Sequence, residues 1–282
     1  MLFSRHTKIM TLSVITTALL LSACDNAQET PKPAEPTTTK ASSESTPAPS
    51  QEKAEQTISV GIDPSYAPFV NREENGQVVG FDVELLQEIG KREGFEINLV
   101  PQAWSGVFEG LDKKHIDLVM GGAVSTDERK QKWLVSNPYY KVTTVIATKE
   151  GSGIDKFSDV RGKKVAYTQG GSVEKTLKEL QGTDTLDADQ NVSTSWLRIK
   201  NVITDASDAA IGTSASFEYY ARAYPEQKLR IIYADNPQYD DVVFIVGKDN
   251  AELLDKLNTG LQSLHDDGTL QKLQEKWMGQ VQ

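Results

Sequence analysis

The sequence predicts an α/β fold of two lobes in series, each a mainly parallel sheet flanked by helices. Three observations carry this. Short apolar runs alternate with helix-period segments from Ile58 to Met120; the same alternation restarts after Tyr140; and the chain closes with two leucine-striped helical segments.

In the first unit "ISVGI" (58–62), "EINLVP" (96–101) and "IDLVM" (116–120) read as buried strands. Between them "GFDVELLQEIGKREG" puts Phe81, Leu85, Leu86 and Ile89 on one helical face, and Gly94 stops the helix. "WSGVFEGLDKK" is a second, shorter helix. The order β-α-β-α-β requires crossover connections and hence a parallel sheet. In the second unit the strands are "VTTVIAT" (142–148), "KKVAYT" (163–168), "AAIG" (209–212), "LRIIY" (229–233) and "VVFIVG" (242–247), with helices over 173–181 and 214–224. The polar stretch 182–208 allows a short strand at Thr185–Asp187 and a helix over 194–202. At the end, Leu253, Leu254, Leu257, Leu261 and Leu264 form one stripe and Leu270, Leu273 and Trp277 another. Asp266-Asp267-Gly268 turns between them, and Thr269 is the expected N-cap.

The first residues belong to something else. Arg5 and Lys8 precede an apolar segment, Ile9 to Leu21, too short for the roughly 20 residues a membrane-spanning helix needs. Residues 1–23 therefore read as an export signal. The small residues Ser22 and Ala23 before Cys24 resemble a bacterial lipobox, which implies a lipidated Cys24 as the mature N-terminus. Asp25 resembles the signal that keeps lipoproteins at the inner membrane of Gram-negative cells; a Gram-positive cell would instead expose the protein on its exterior. Cys24 is the one cysteine of the chain, so no disulfide is available. Residues 25–56 hold five of the eleven prolines and no Ile, Leu, Val or aromatic residue. With Cys24 they form an expected tether, 24–56, which as flexible coil would reach roughly 30 Å.

That leaves 57–282 to fold. Without residues 1–23, which carry two basic residues and no acid, 28 Lys and Arg face 40 Asp and Glu, net −12. This acidic balance argues against nucleic acid and against an anionic membrane surface as partners. No cluster of His, Cys and acids has metal-ligand spacing, His115 and His265 sit among charged residues, and no phosphate-binding glycine loop occurs. No metal or cofactor is expected.

Seven motifs, in order, carry a resemblance over nearly all of 57–282: "VGIDPSYAPF" (60–69), "GFDVELLQEIGKREG" (80–94), "AWSGVFEGLDKKHIDLVMGG" (103–122), "STDERK" (125–130), "SNPYY" (136–140), "RGKKVAYTQGGSVE" (161–174) and "DDGTLQKLQEKWMG" (266–279). Together they resemble the amino-acid-binding solute receptors of ABC importers, which have the type II periplasmic binding protein, or Venus flytrap, fold. The resemblance implies a first lobe of 57–140 plus 248–282, a second of 141–247, and a two-strand hinge between them. It also implies a monomer that captures a polar amino acid or related small carboxylate and delivers it to a membrane permease.

The implied site residues follow by position. Arg129 matches the arginine that clamps a ligand carboxylate, a task suited to the two parallel donors of a guanidinium. Asp63 matches an acid facing the ligand's cationic or polar part; it also fits a turn before Pro64. Tyr66 and Trp104 match aromatic walls of the cleft, whereas Phe69, Trp133 and Trp277 read as packing. Gly121 and Gly122 bring backbone close to the ligand, and Ser125 and Thr126 start the helix that carries Arg129. Gly171 and Ser172 fall where a helix begins, so amide donors are expected there, with Ser172 as N-cap.

The sequence departs from the family at the amino-group site. Val124 stands where a Ser or Thr is usual, and Thr213 where the second lobe usually has an Asp; Asp205 and Asp208 would need a poorer register. The same fold also hosts cyclohexadienyl dehydratase, and "QGGSVE" offers Glu174 as a general acid for that alternative. The lipobox, the tether and the ending "DGTLQKLQEKWMG" favour a receptor without catalytic residues.

Overall fold

A computed structural model describes residues 56–279. The export signal, Cys24, Asp25 and almost all of the tether lie outside the described residues.

The first sheet is built on β1 (Gln56–Ile62). Ile58, Val60 and Ile62 are buried, as a strand covered on both faces requires. A three-stranded meander follows: β2 (Ser65–Tyr66), β3 (Val70–Arg72) and β4 (Val78–Val79). Helix α1 (Phe81–Glu93) has Asp82 and Glu84 in its first turn and ends at Gly94 in the left-handed region, φ 71°. Its apolar face is the predicted one. Next come β5 (Phe95–Pro101), α2 (Trp104–Asp112), β6 (Leu118–Val119), α3 (Asp127–Lys132) and β7 (Leu134–Val135).

The long β8 (Tyr140–Lys149) carries the chain into the second sheet. There β9 (Val165–Ala166), α4 (Glu174–Gln181), α5 (Ser195–Ile203), β10 (Ala209–Thr213), α6 (Ser214–Ala223) and β11 (Leu229–Tyr233) follow. The chain returns through β12 (Tyr239–Val242) and β13 (Ile245–Val246), then ends in α7 (Ala251–Asp266) and α8 (Thr269–Met278).

The strand orders are β5-β1-β6-β13-β7 and β11-β8-β10-β9. Both sheets are mixed rather than mainly parallel. β1 runs parallel to β5 and β6, but β13 is antiparallel to both its neighbours. In the second sheet only β9 and β10 are parallel; β8 is antiparallel to β10 and β11. The cause is the crossing itself, because strands that enter or leave a lobe from the connecting side run against those delivered by crossover helices. The crossing pair is β8 with β12, matched from Tyr140 opposite Val242 to Thr143 opposite Tyr239.

Several expectations shift. The run 242–247, expected as one strand of the second lobe, is divided: Val242 ends β12, and Ile245–Val246 enters the first sheet between β6 and β7. Residues 242–246 are all buried, so a continuous apolar run there serves the first core. A short 3-10 turn, Ala188–Gln190, replaces the strand expected at Thr185–Asp187. Gly268 is the N-cap of α8, with Thr269 its first residue. Helix α7 lies close on α1: a Cβ at Gly260 would stand 2.6 Å from Ile89 Cγ2.

Candidate functional site

The C-terminal ends of β1 and β6, the start of α2 and the helix α3 meet the loop before α4, the start of α5 and the end of β10 around one cavity. Its volume is about 50 Å³. All nine residues singled out from the sequence as ligand-facing line it: Asp63, Tyr66, Trp104, Gly121, Gly122 and Arg129 from one side, Gly171, Ser172 and Thr213 from the other. Val124 lines it as well. Phe69 is fully buried core and Trp133 donates to Asp112, so both pack as expected. Asp205 pairs with Lys149, and Asp208 accepts from the Lys164 amide; neither lines the cavity.

Arg129 is brought there by a local device. Thr126 caps α3 by accepting from the Arg129 amide at 3.2 Å, and Asp127 and Glu128 occupy the first turn. The side chain of Arg129 is only 6% exposed. Its Nη1 donates to the Val124 carbonyl at 2.8 Å and its Nη2 to the Gly170 carbonyl at 3.3 Å. The guanidinium carbon lies 4.8 Å from the Phe108 ring centre and 5.3 Å from that of Trp104. Burial lowers its pKa to about 10, which leaves it charged at neutral pH. Glu128 is turned to Lys132 and does not pair with Arg129.

Asp63 combines the two roles its sequence context allowed. Its Oδ1 accepts from the Ser65 amide at 3.1 Å and from the Ser65 hydroxyl, a local turn, while the carboxylate faces the cavity. Burial raises its pKa, against the opposing effect of the Ser65 donors and Arg198. Tyr66 crosses the cleft: its hydroxyl lies 2.7 Å from Thr213 Oγ1. Trp104 crosses too, donating from Nε1 to the Gly170 carbonyl at 3.3 Å. These contacts join the two sides of the cavity directly.

The glycines do less donating than expected. Gly121 and Gly122 have φ of 115° and 63°, and both amides point at Asp82 Oδ2, each 2.8 Å away. The Tyr139 hydroxyl donates to the same oxygen at 2.8 Å. Asp82 is fully buried and its Oδ1 has no partner among the described residues. Burial raises its pKa to about 6 despite the donors from Gly122, Tyr139 and Gly121. Nor does Ser172 cap α4: the N-cap is Val173, without a side-chain bond. Glu174 reaches back instead and accepts from the Gly170 amide at 2.8 Å, and Gly171 donates to the Thr168 carbonyl at 3.2 Å. The helix begins at Glu174, so the cap position falls at Val173, one residue after the serine. Glu174 also pairs with Lys178 and does not line the cavity. Though partial burial works the other way, Lys178 and the Gly170 amide hold its pKa below the usual value. That is the wrong direction for a general acid.

Sequence reasoning missed four polar cavity residues, Thr168, Ser193, Ser195 and Arg198. Arg198 is the consequential one. It is 5% exposed on α5, donates from Nη1 to the Ile211 carbonyl at 2.9 Å, and leaves Nε buried without a partner. Burial lowers its pKa; the nearby Tyr66, Tyr220 and Asp63 oppose this. A signal existed: Arg198 falls on the same helical face as Ile199 and Val202, the buried face of α5, which Ser195 also shares. Among the described residues no group of His, Cys, Asp and Glu is placed to hold a metal.

Relatives share this architecture. The chain is 30% identical over 226 residues to an arginine-binding extracellular protein, ArtP, of Bacillus subtilis, covering 80% of this chain and 88% of that one. It is 31% identical over 239 residues to an L-cystine-binding protein, TcyJ, of Escherichia coli, covering 80% and 84%. The solved arginine-, lysine-, histidine-binding protein ArtJ of Geobacillus stearothermophilus superposes with a TM-score of 0.74 at 28% identity, covering 80% of this chain and 97% of that one. With residues 58–280 matching the family model throughout, the chain belongs to the bacterial extracellular solute-binding proteins, family 3.

Proposed function

We infer that the chain is the receptor of an ABC importer, capturing a small solute that bears a carboxylate, an amino acid or a close relative, and delivering it to the membrane permease. The observation that carries this is Arg129. It is a buried guanidinium, flanked by two aromatic rings, lining a cavity shared by both lobes, with no carboxylate partner among the described residues. A buried cation in that position is stabilised by an arriving acid group through charge-assisted, bidentate bonds. Relatives named for binding arginine and cystine support the ligand class.

In this reading Asp63, Tyr66, Trp104, Gly121, Gly122 and Arg129 receive the solute first. Gly171, Ser172 and Thr213 engage it on closure, and the β8–β12 pair is the hinge. The Gly170 carbonyl, which accepts from both Arg129 and Trp104, gives up those donors to the solute's carboxylate. The protein acts as a monomer, without cofactor or catalytic group. Cys24 carries lipid and holds it at the membrane, at the periplasmic side of the inner membrane when the cell is Gram-negative; no described helix is long and apolar enough to cross one. Loss of membrane association in a Cys24→Ser chain checks the anchor, and retention in the membrane fraction counts against it.

The test of the ligand class is thermal unfolding across a panel of amino acids, dipeptides and small organic acids. A bound solute at a hundredfold its Kd stabilises by about 2.7 kcal/mol, roughly 5–10 °C in Tm for a domain of this size. Arg129→Ala should weaken the responding solute by about two orders of magnitude. Unchanged affinity in that variant, or no response to any carboxylate, refutes the reading.

A further inference from the structure

The cavity holds a second arginine, Arg198, that forms no ion pair, although the charge of Asp63 in the same lining reaches it. Among the described residues Arg92, Arg222 and Arg230 form ion pairs, all with side chains partly open to water. Arg129 and Arg198, the two that are buried and line the cavity, form none. Taking a guanidinium out of water without an anionic partner is costly, and the cost persists until one arrives. Backbone carbonyls take only part of each fork: one Nη of Arg198 goes to Ile211, while its Nε is left orphaned.

The surroundings fix how these groups can act. The carbon at the centre of Arg198's guanidinium is 5.3 Å from the Phe217 ring and 5.9 Å from that of Tyr66. Phe108 and Trp104 stand in the same relation to Arg129. Aromatic rings thus attend both guanidinium groups, and in-plane N–H donors are what a planar acid group reads. The lining supplies two such cations and one carboxylate, Asp63. It has Val124 and Thr213 besides, and the Thr213 hydroxyl is engaged with Tyr66. The cavity is therefore better equipped for acid groups than for ammonium groups.

We propose that Arg198 binds a second acid group of the solute, so that the captured molecule is a diacid, held by Arg129 from the first lobe and by Arg198 from the second. This rests on the carboxylate-receptor reading above and narrows it. It also accounts for closure, since the contact to Arg198 exists only when the lobes meet and so adds to the closed state alone.

Isothermal titration tests it with L-glutamate, glutarate and L-cystine as diacids, and L-glutamine and L-arginine as solutes with a single acid group. The three diacids differ in ammonium count, two to none, and so separate a dicarboxylic acid from an acidic or a paired amino acid. At least one diacid should bind about tenfold more tightly than both single-acid solutes. Arg198→Gln should erase that preference, and Arg198→Lys, which keeps a charge but not the fork, should retain part of it. Unfolding of each variant without ligand separates lost binding from lost folding, and the preference of the unaltered protein is informative by itself. Glutamine or arginine binding as tightly as every diacid overturns the proposal and leaves the receptor reading standing. So does an Arg198→Gln variant that weakens all solutes alike. No binding by any of these solutes overturns the proposal, and silence across the whole carboxylate panel overturns the receptor reading with it.

Discussion

Asp82 makes a quantitative prediction about pH. Its carboxyl is fully buried, and three donors, the amides of Gly121 and Gly122 and the hydroxyl of Tyr139, converge on one oxygen while the other has no partner among the described residues. Burial outweighs those bonds and raises the pKa from 3.8 to about 6. The protonated form is thus favoured by folding. Its contribution to stability is fully present below about pH 4 and is lost as pH rises through about 6. At 1.36 kcal/mol per unit, the shift of about two units corresponds to roughly 3 kcal/mol. Asp82→Asn keeps a carbonyl for the same three donors and does not titrate, but leaves an amide N–H where the unpartnered oxygen was. Urea unfolding of both proteins from pH 4 to 7.5 cancels every other carboxylate in the difference. The stability of the unaltered protein relative to the Asp82→Asn variant should fall by about 2.5 kcal/mol across that range, the unfolded carboxyl being already partly ionised at pH 4. A difference flat to within about 0.5 kcal/mol refutes the reasoning. A difference rising with pH would mean that the three donors outweigh burial.

Two further substitutions test the walls of the cleft. Gly122→Ala places a Cβ 2.7 Å from Phe69 Cδ2 and 2.8 Å from Tyr66 Cε1 on a backbone with φ 63°, so it should cost about 2–4 kcal/mol and displace Tyr66. Gly76→Ala, with positive φ but nothing within 4 Å, should lose only the backbone part in the same thermal melts; equal losses would refute the packing argument. Tyr66→Phe removes the hydroxyl that meets Thr213 across the cleft, and should lower solute affinity by about 3- to 10-fold and enlarge the ligand-free radius of gyration in X-ray scattering. No change in either would show that this contact does not favour closure.

What the sequence made legible depended on how local the cause was. Helix α1 could be read because its apolar spacing, its acidic first turn and Gly94 all lie within one segment and agree. Strand β13 could not, because the run 242–247 is apolar whichever sheet it joins, and only its pairing with β6 and β7 assigns it. The meander β2–β4 has strands of two or three residues, below what alternation can signal. Asp82 is invisible as a site-building residue in the sequence because its three partners, at 121, 122 and 139, are brought to it by β6 and the segment entering β8. Position alone makes Ser172 the expected cap of α4, but the helix starts one residue later than that requires, with Val173 at the cap.

The same distinction separates the two halves of the cleft. The first lobe's arginine and its helix cap lie in one contiguous stretch, Val124 to Arg129, joined by short-range bonds, so a resemblance in that stretch suffices to find them, whereas the glycine amides before it are held by the distant Asp82. The second lobe's polar lining comes from three separate segments, 168–173, 193–198 and 212–213, which only the sheet brings together. Hydrogen bonds join them, from Thr168 to the Val192 carbonyl and from Arg198 to the Ile211 carbonyl, and they hold Arg198 together with Thr213, which stands where the resemblance implies an acid. On the diacid proposal, the second lobe adds the cation Arg198 and presents Thr213, not an acid, to an ammonium. Val124 is the first lobe's counterpart. Its carbonyl accepts from Arg129 while its side chain offers no acceptor, so on the receptor reading proposed above this position supports a carboxylate clamp and offers an ammonium nothing.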